Sequence, residues 1–407
     1  MTVSPHLFVL VRRALIPLFM IAGSSAAYTA SSAPAQSRFV LYGSYSNAVN
    51  QQAATPYTPS DIANAYSFSP LYSQGIQGQG QTVALIEADA LQTKDLAYFD
   101  QNFNLPAPSI KTTYVGGKKF SLPTTEETTL DVEWLHALAP GAKIQIYYLK
   151  NNQTLKAGWK SFASAITTAT NSGAHTISIS LGVCDPTSSK PMQTALASAL
   201  AKNVSVFSAS GDSGDHPGPK RDCGNSIGVA YPASDPSVVA VGGTSLQLSS
   251  TDSILDEVAW NLSGGGVSSF TRPLWQTATQ LPGDTFRWVP DVSFLADQNT
   301  GVAVRFKNRW HQVGGTSLGA PAWAATWTLL RQDAAQHNVS LSAAPTELYQ
   351  LGNSSLYSSV FHDITTGSNG QYSAGPGWDA VTGWGTPDVA NMAAAITSPT
   401  TSSSTTP

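Results

Sequence analysis

The chain has 407 residues, 42% of them hydrophobic, which is enough apolar material for one large domain or two ordinary ones. Its formal net charge of −4 provides no basic field for nucleic acid, so we do not expect a nucleic-acid partner. Only 11% of the residues are charged, so few paired carboxylates can lose their charge in acid, which weakly indicates an acidic working environment.

The first 35 residues have the pattern of a secretory signal peptide. Arg12 and Arg13 end a positively charged start, and the apolar run from Ala14 to Ala22 is followed by small residues typical of a cleavage site. The run is short for a membrane span, so we predict a secreted protein without membrane association after cleavage. An N-terminal anchor is the alternative. Residues 36–56 are predicted to be an irregular lead.

After a first helix that begins near Thr58, apolar runs of strand length alternate with helical patterns. The predicted strands lie at residues 81–87, 142–148, 176–180, 204–208 and 238–241. The predicted helices between them lie at residues 128–139, 157–171 and 192–202. This alternation indicates an α/β fold with a mostly parallel central sheet and helices on both faces. Such sheets bind ligands beyond the carboxyl ends of their strands.

The rest of the chain is less regular. Residues 260–310 are rich in Gly, Pro and Trp and lack a long periodic segment, which predicts extended loops that shape a cleft. Residues 398–407 form a Ser/Thr/Pro tail that we predict to be disordered. The two cysteines, Cys184 and Cys223, are most simply one disulfide in an exported protein.

The string Gly-Gly-Thr-Ser occurs twice. At Gly314–Ser317 it runs into small apolar residues that predict a buried helix. A serine there is either a nucleophile, stabilised by the free N–H groups and positive dipole end of the helix, or a helix N-cap. At Gly242–Ser245 the same string continues as a strand and has no proline equivalent to Pro321. We therefore predict a structural role for Ser245.

Three acidic residues stand near predicted strand or helix ends. Glu127 and Asp131 share one face of the helix at 128–139, and such a pair can accept a hydroxyl proton at mildly acid pH. The alternative is a capping box between Thr124 and Glu127, with Asp131 on the surface. Asp212 follows the strand at 204–208, where it is either a turn residue beside glycine or a protonated acid that donates to an oxyanion.

These features together resemble the sedolisin family, the serine-carboxyl peptidases, which are acid-acting relatives of subtilisin. The resemblance covers residues 57–395 and includes further motifs at residues 178–182, 210–214, 264–268 and 290–293. It implies a subtilisin-like three-layer α/β fold and one peptidase domain over residues 57–397.

The resemblance also implies roles for individual residues. Ser317 would be the nucleophile, Glu127 its general base, Asp131 the group that orients Glu127, and Asp212 the oxyanion-stabilising acid. Glu87, at the end of the first core strand, would support Asp131.

A substrate strand is implied at Ser180, Leu181 and Gly182, along which the peptide backbone would pair. The implied activity is that of a secreted, monomeric, acid-active endopeptidase acting on protein or peptide substrates. A tripeptidyl-peptidase of the same family and an inactive secreted peptide-binding pseudopeptidase are the alternatives.

The segment after His362 contains two aspartates, Asp363 and Asp379, that spacing alone would assign to ordinary turns. Their region resembles the calcium loop of the family. The resemblance implies one structural Ca²⁺, held by both carboxylates and by the carbonyl oxygens of Ile364, Gly375 and Gly377.

Two features separate the chain from other peptidases. A subtilisin-type Ser-His-Asp triad needs a histidine in a glycine-rich helix start, and none of the seven histidines has that context. His136 follows Asp131 by five residues and does not share its helix face. The sedolisin family is usually made with a large N-terminal pro-domain, whereas the roughly 20 to 30 residues between the predicted signal peptide and the first matching helix are too few for a folded unit.

Overall fold

The computed structural model describes residues 55–150, 155–183, 189–218 and 224–398. The predicted signal peptide, the lead as far as residue 54, both cysteines and the tail from residue 399 lie outside the described residues. In the part of the chain that is described, no helix combines the length and the apolarity needed to cross a bilayer.

Fourteen strands are present in these segments. In chain order they are β1 (Thr82–Glu87), β2 (Ser109–Tyr114), β3 (Lys143–Tyr148), β4 (Thr176–Ile179), β5 (Ser205–Ala209), β6 (Val239–Leu248), β7 (Ile254–Ala259), β8 (Gly266–Thr271), β9 (Phe286–Val289), β10 (Val292–Leu295), β11 (Val302–Phe306), β12 (Arg309–Val313), β13 (Phe361–His362) and β14 (Thr386–Pro387). The main sheet has the order β10-β6-β5-β4-β1-β3-β2 with every neighbouring pair parallel, and β7 adds antiparallel to β6.

The described helices cover both faces of this sheet. They are α1 (Pro59–Ala65), α2 (Ser69–Ser73), α3 (Thr93–Asn102), α4 (Glu127–Leu138), α5 (Leu155–Asn171), α6 (Lys190–Ala201), α7 (Thr316–Gln336), α8 (Ala344–Gly352), α9 (Tyr357–Val360) and α10 (Val389–Thr397), with a 3₁₀ turn at Gln298–Thr300. Strand β1 shows the two layers, because Val83 and Leu85 pack with α4 and α7 while Ala84 and Ile86 pack with α5 and α6. The predicted three-layer α/β fold is confirmed.

Helix α7 is buried over most of its length. Its first fifteen residues, from Thr316 to Leu330, are all buried, and many of them are alanine, glycine or threonine. Small side chains allow a helix to approach a sheet closely, and Trp323 and Trp327 fill the remaining space. The predicted buried helix after Ser317 is therefore present, and it fixes this serine against the sheet.

The predicted loop region at residues 260–310 is wrong in part. It contains the antiparallel pair β8–β9, the core strand β10 and most of the hairpin β11–β12. These strands have only four to six residues each, so their alternation is too short to stand out in the sequence. The β11–β12 turn uses Lys307 and Asn308, both with positive φ, instead of the Asn-Gly pair that signals a hairpin.

Candidate active site

Four side chains of interest follow the carboxyl ends of three neighbouring parallel strands. Glu87 is the last residue of β1, and Asp89 lies two residues beyond it. Ser180 follows β4, and Asp212 follows β5. Because β1, β4 and β5 are adjacent and parallel in the sheet, their ends meet at one edge. Ser317 reaches this edge from the start of α7. The sheet topology therefore creates one polar site from distant parts of the sequence.

Two glycines set the backbone before Ser317. Gly315 is the N-cap of α7 with φ +98° and ψ 156°, a conformation that is essentially restricted to glycine. A Cβ on Gly314 would lie 2.2 Å from the carbonyl oxygen of Ala296, so no side chain fits there. Since Gly315 is the cap, Ser317 is the second residue of the helix, and its interpretation as an N-cap is wrong.

The proline that follows Ser317 has a clear structural effect. In a regular helix the N–H of residue 321 would bond to the carbonyl oxygen of Ser317, but Pro321 has no N–H. The hydroxyl of Ser180 lies 3.2 Å from that carbonyl oxygen instead. The hydroxyl of Ser317 lies in turn 3.3 Å from the carbonyl oxygen of Ser180. Ser180 and Ser317 thus join β4 to α7 by two reciprocal contacts.

The helical pair predicted for general-base chemistry is buried. Glu127 is the first residue of α4 and is 7% exposed, while Asp131, one turn later, is fully buried. The N-cap of α4 is Glu126, which makes no side-chain capping bond, so the alternative of a Thr124–Glu127 capping box is wrong. Asp131 is likewise not a surface residue, and its Oδ2 accepts a 2.6 Å hydrogen bond from Ser180.

Asp131 and Glu87 form a buried carboxyl pair. The two carboxyl groups act on each other, and two buried carboxylates so close together do not both stay charged. Burial raises the pKa of Asp131 to about 7, and the Ser180 and Glu87 hydrogen bonds partly oppose this rise. The pKa of Glu87 is raised well above its usual range, first by burial and then by the charges of Asp131, Asp89 and Glu127. The pair therefore holds a proton in mildly acid solution.

Asp212 is half-buried beside the start of α7. Its Oδ1 accepts hydrogen bonds of 2.8 Å from both the backbone N–H and the hydroxyl of Thr316, the residue before Ser317. The Thr316 hydroxyl also accepts from the N–H of Gly211 at 3.0 Å. Burial raises the pKa of Asp212, and the two Thr316 hydrogen bonds limit the rise. Asp212 is therefore held beside the serine, although it also lies in a bend.

Asp89 is a buried carboxyl of this site that the sequence reasoning missed. It accepts hydrogen bonds from Thr125 and from both the backbone and the hydroxyl of Thr128 at the start of α4. The criterion that selected Asp212, an aspartate placed just after a buried strand, also applies to Asp89. It could have been found because it lies two residues beyond Glu87.

The proposed substrate strand is placed in the same region. Ser180, Leu181 and Gly182 are all buried at the end of β4, and Val183 forms an antiparallel bridge with Tyr231. Ser180 is thus part of the hydrogen-bond network of the site as well as of its wall.

The histidines of the described segments do not contact Ser317. His136 is buried on α4, where its Nε2 lies 2.8 Å from the carbonyl oxygen of Pro106 and 3.6 Å from Asp100. Burial lowers the pKa of His136. A Ser-His-Asp arrangement at Ser317 is therefore not formed by any described histidine.

Asp363 and Asp379 both bind the turn between Gly375 and Gly377. The carboxylate of Asp363 accepts from the N–H of Gly377, with both oxygens at 3.1 Å, and Asp379 accepts from the N–H of Gly375 at 3.3 Å. Burial raises the pKa of Tyr357, and Asp363 and Asp379 add to this rise. Within the described segments no group of three or more His, Cys, Asp or Glu side chains forms a metal site. Two carboxylates with backbone oxygens nearby suit a hard cation such as Ca²⁺.

Comparison with known proteins agrees with this geometry. Residues 124–385, more than half of the chain, match the Subtilase family. Kumamolisin of Bacillus sp. (strain MN-32) is 37% identical over 368 residues, which cover 82% of this chain and 62% of that protein. Sedolisin of Pseudomonas sp. (strain 101) is 33% identical over 296 residues, which cover 67% of this chain and 49% of that protein.

Two further relatives extend the comparison. Tripeptidyl-peptidase 1 of Homo sapiens is 29% identical over 375 residues, which cover 81% of this chain and 62% of that protein. The solved structure of Pseudomonas sedolisin, a serine-carboxyl proteinase complexed with two molecules of pseudo-iodotyrostatin, has a TM-score of 0.74 at 28% identity and covers 85% of this chain and 99% of that chain. The chain belongs to the subtilase family and, within it, to the sedolisin family of serine-carboxyl peptidases. It spans about half to two thirds of the length of the curated relatives that it matches.

Proposed function

We propose that this protein is an acid-active serine-carboxyl endopeptidase that hydrolyses peptide bonds through an acyl-enzyme on Ser317. The observation that carries the proposal is that carboxyl groups adjoin Ser317 from two sides. Asp212 binds the preceding Thr316, and Asp131 is connected to Ser317 through Ser180. Family membership supports the reaction class.

In the proposed first step, the Oγ of Ser317 attacks the carbonyl carbon of the scissile peptide bond, and Glu127 takes the hydroxyl proton. Glu127 is suited to this role because it begins α4 and keeps some exposure, whereas Asp131 behind it is fully buried. The proton then passes to the leaving amine, and the carbonyl is restored as an ester on Ser317. Water activated by Glu127 hydrolyses this ester and releases the second product.

Asp212 is the proposed donor to the oxyanion of the tetrahedral intermediate. Its Oδ1 is already occupied by two hydrogen bonds from Thr316, so a proton on this acid belongs on Oδ2. A protonated acid donates a hydrogen bond as an amide does, but only below its pKa. Burial raises the pKa of Asp212, which widens the acid range in which it can donate.

The Glu87–Asp131 pair would orient Glu127 and keep one proton in the network. If Glu87 is protonated and donates to Asp131, the two buried carboxyl groups are hydrogen-bonded to each other. They then do not carry two negative charges side by side. Histidine would be protonated under the same acid conditions and could not accept a proton from serine. This contrast is why we assign the base role to carboxylates.

Substrates are proposed to be proteins or peptides whose backbone pairs along Ser180, Leu181 and Gly182. A tripeptidyl-peptidase activity is the second candidate, and the similarity to tripeptidyl-peptidase 1 over 81% of this chain favours its consideration. Peptides with a blocked amino terminus separate the two, because an endopeptidase cleaves them and a tripeptidyl-peptidase needs the free terminus. We further propose that the protein acts as a secreted monomer.

We also propose one structural Ca²⁺ at the turn between Gly375 and Gly377. Asp363 and Asp379 would supply carboxylates and Ile364, Gly375 and Gly377 carbonyl oxygens. The support is that both carboxylates already converge on this turn, where they could act as oxygen ligands of a hard cation.

The calcium proposal is tested by stability. Chelation should lower the Tm of the wild type but not that of Asp363→Asn, while Asp388→Asn, which alters the cap of α10, should respond as the wild type does. An unchanged wild-type Tm and no calcium by metal analysis would refute the proposal.

The catalytic proposal is tested by peptide-library cleavage between pH 2 and pH 8, with free and blocked amino termini. We expect wild-type hydrolysis of both kinds of peptide with an acid optimum, and none by Ser317→Ala. Release of tripeptides from free termini alone would favour the second candidate. A neutral or alkaline optimum would contradict the roles given to Glu127 and Asp212, and hydrolysis by Ser317→Ala would contradict the nucleophile.

A further inference from the structure

Helix α4, which begins with Glu127, does not cap its own start. Its N-cap residue, Glu126, makes no side-chain hydrogen bond to the first turn, and the first N–H groups of a helix have no partner within it. The N–H of Thr128 instead donates to Oδ1 of Asp89 at 3.2 Å. Asp89 comes from the segment after β1, so the cap of this helix is supplied by a different element.

Asp89 is held by further bonds that fix its orientation. The Thr125 hydroxyl lies 2.6 Å from its Oδ2, and the Thr128 hydroxyl lies 2.5 Å from its Oδ1. Three donors on one carboxylate, 3% exposed, make a rigid acceptor. The carboxyl group therefore ties the residues on both sides of Glu127 to the end of β1.

The Thr128 hydroxyl also connects Asp89 to Glu87. Its Oγ1 lies 2.9 Å from Oε2 of Glu87 and 2.5 Å from Oδ1 of Asp89, but a hydroxyl has only one proton to donate. The shorter of the two distances favours donation to Asp89, which leaves the proton of Glu87 for Asp131. Burial raises the pKa of Asp89, and its hydrogen bonds from Thr125 and Thr128 oppose that rise and favour the charged carboxylate.

The charged and titratable groups that Asp89 influences come from three elements. They are Glu87 on β1, Asp131 on α4 and Tyr148 on β3, and the negative charge of Asp89 raises the pKa of each. Glu127 acts on the same Glu87. No lysine or arginine of the described segments pairs with Asp89, so its charge acts on these groups without a counter-ion.

We propose that Asp89 is a positioning residue for the base system, which caps α4 to hold Glu127 in place and keeps a proton on the Glu87–Asp131 pair. The inference rests on the proposed peptidase function. Asp89 takes part through Thr128 and Glu87 and does not touch the substrate. It differs from Glu87 and Asp131, since it was not implied by the family resemblance.

Two substitutions separate its two effects. Asp89→Asn keeps an oxygen that accepts from Thr128 but removes the charge, so kcat should stay within about threefold of the wild type. The acid limb of the pH profile, which reports the base system, should move about half a unit lower. Asp89→Ala also removes the cap, so kcat at the optimum should fall between about tenfold and a hundredfold because Glu127 is displaced. Hydrogen exchange of the Thr128 amide should be faster in Asp89→Ala and unchanged in Asp89→Asn.

Asp95 provides the matched control. It is 5% exposed, and its carboxylate accepts the N–H groups of Lys307 and Asn308 at the β11–β12 turn, away from Ser317. Asp95→Asn and Asp95→Ala should lower Tm without moving the pH profile.

An unmoved pH profile in Asp89→Asn, or a wild-type kcat in Asp89→Ala, would overturn the inference. If Asp89→Ala does not fold, the profile of Asp89→Asn decides. Loss of Tm alone in both Asp89 variants would reduce Asp89 to a structural cap. If the wild type does not hydrolyse peptides, or hydrolyses them no faster than Ser317→Ala does, the proposed function is refuted, and the inference with it.

Discussion

The same four residues, Gly-Gly-Thr-Ser, occur at Gly242–Ser245 and at Gly314–Ser317, and the two segments have different structures. The first lies within β6 and is extended, while the second turns at Gly315 and begins α7. They are close neighbours, because Ala296 donates its N–H to the carbonyl oxygen of Thr244 and accepts from the N–H of Gly315. A short string therefore does not determine the conformation or the role of its serine.

The partners of the two segments explain the difference. In each, the threonine hydroxyl donates to a buried or half-buried carboxyl, Glu257 for Thr244 and Asp212 for Thr316. Ser245, however, donates to Asp297 at 2.6 Å, which engages its hydroxyl in a structural bond. Within the described segments, the hydroxyl of Ser317 contacts a carbonyl oxygen at 3.3 Å, a weak contact that a substrate can replace. The difference lies in the surroundings of each serine.

The largest expected effect is at the second serine. Ser317→Ala should lower kcat/KM by about a thousandfold to a millionfold, because the proposed acyl-enzyme cannot form. Its Tm should change little, since the contact of this hydroxyl with the carbonyl oxygen of Ser180 is weak. Steady-state cleavage of a fluorogenic peptide, beside a thermal melt, measures both. Retention of more than a tenth of the wild-type rate would place the nucleophile elsewhere.

Substitution of the carboxyl residues that accept from the two threonines, Asp212 and Glu257, should also affect catalysis differently. Asp212→Ala should cost about 10²–10³-fold in kcat, the usual effect of removing one oxyanion donor. Asp212→Asn should recover part of this loss and move the alkaline limb to higher pH, because an amide donates at any pH. Glu257→Gln, beside the first segment, should alter Tm while leaving the pH profile unchanged. Equal pH profiles for Asp212→Asn and the wild type would exclude Asp212 as the donor.

The glycines of the two segments are required for different reasons. Gly315 has a backbone conformation that strains other residues, so Gly315→Ala should displace Ser317 and lower kcat by about tenfold or more. A Cβ on Gly243 would lie 2.5 Å from that of Ala296, so Gly243→Ala should cost about 1–3 kcal/mol of stability with kcat nearly retained. Denaturant unfolding and peptide kinetics on both variants test whether Gly315→Ala mainly lowers kcat and Gly243→Ala mainly lowers stability. A larger loss of kcat in Gly243→Ala would reverse the comparison.

The alternation of strands and helices allowed five strands of the main sheet, β1, β3, β4, β5 and the start of β6, to be predicted from the sequence, because these strands are largely buried. The strands between residues 260 and 310 were not predictable in the same way. Their four to six residues are too few for a periodic signal, and β10 gains its stability from pairing with β6, a contact distant in sequence.

The residues of the site could also be predicted in part, where a local sequence pattern marks them. Glu127 and Asp131 could be paired because helical spacing is local, and Ser317 could be singled out by its glycines. The bonds from Ser180 to Asp131 and from Asp89 to Thr128 join elements far apart in the chain, and no local pattern reports them. Those bonds depend on the strand order of the sheet.

The carboxyls around the second segment should also make stability depend on pH. The native pKa of Asp131, about 7, exceeds the value near 3.9 of an unfolded aspartate, so only the native state keeps this proton between those values. The stabilisation is full below about pH 4 and is lost as the pH rises to about 7.

Calorimetry at pH 4 and pH 7 measures this dependence. Tm should be lower at pH 7, and Asp131→Asn should reduce the difference, whereas Asp297→Asn beside Ser245 is the matched control. A wild-type Tm that rises between these pH values would contradict the raised pKa.

The smallest expected effect is at the first serine. Ser245→Ala removes the 2.6 Å bond to Asp297, whose Oδ1 still accepts the N–H of Asn299, so the loss should be about 1–2 kcal/mol of stability. Peptide cleavage by this variant should match the wild type in kcat and KM at every pH, because Ser245 lies within β6 and bonds to the 3₁₀ turn, not to the carboxyls of the site. Urea unfolding gives the first quantity and the pH profile the second. A pH profile that moves in Ser245→Ala would mean that the two segments are coupled through Ala296, and that the first one takes part in positioning Ser317.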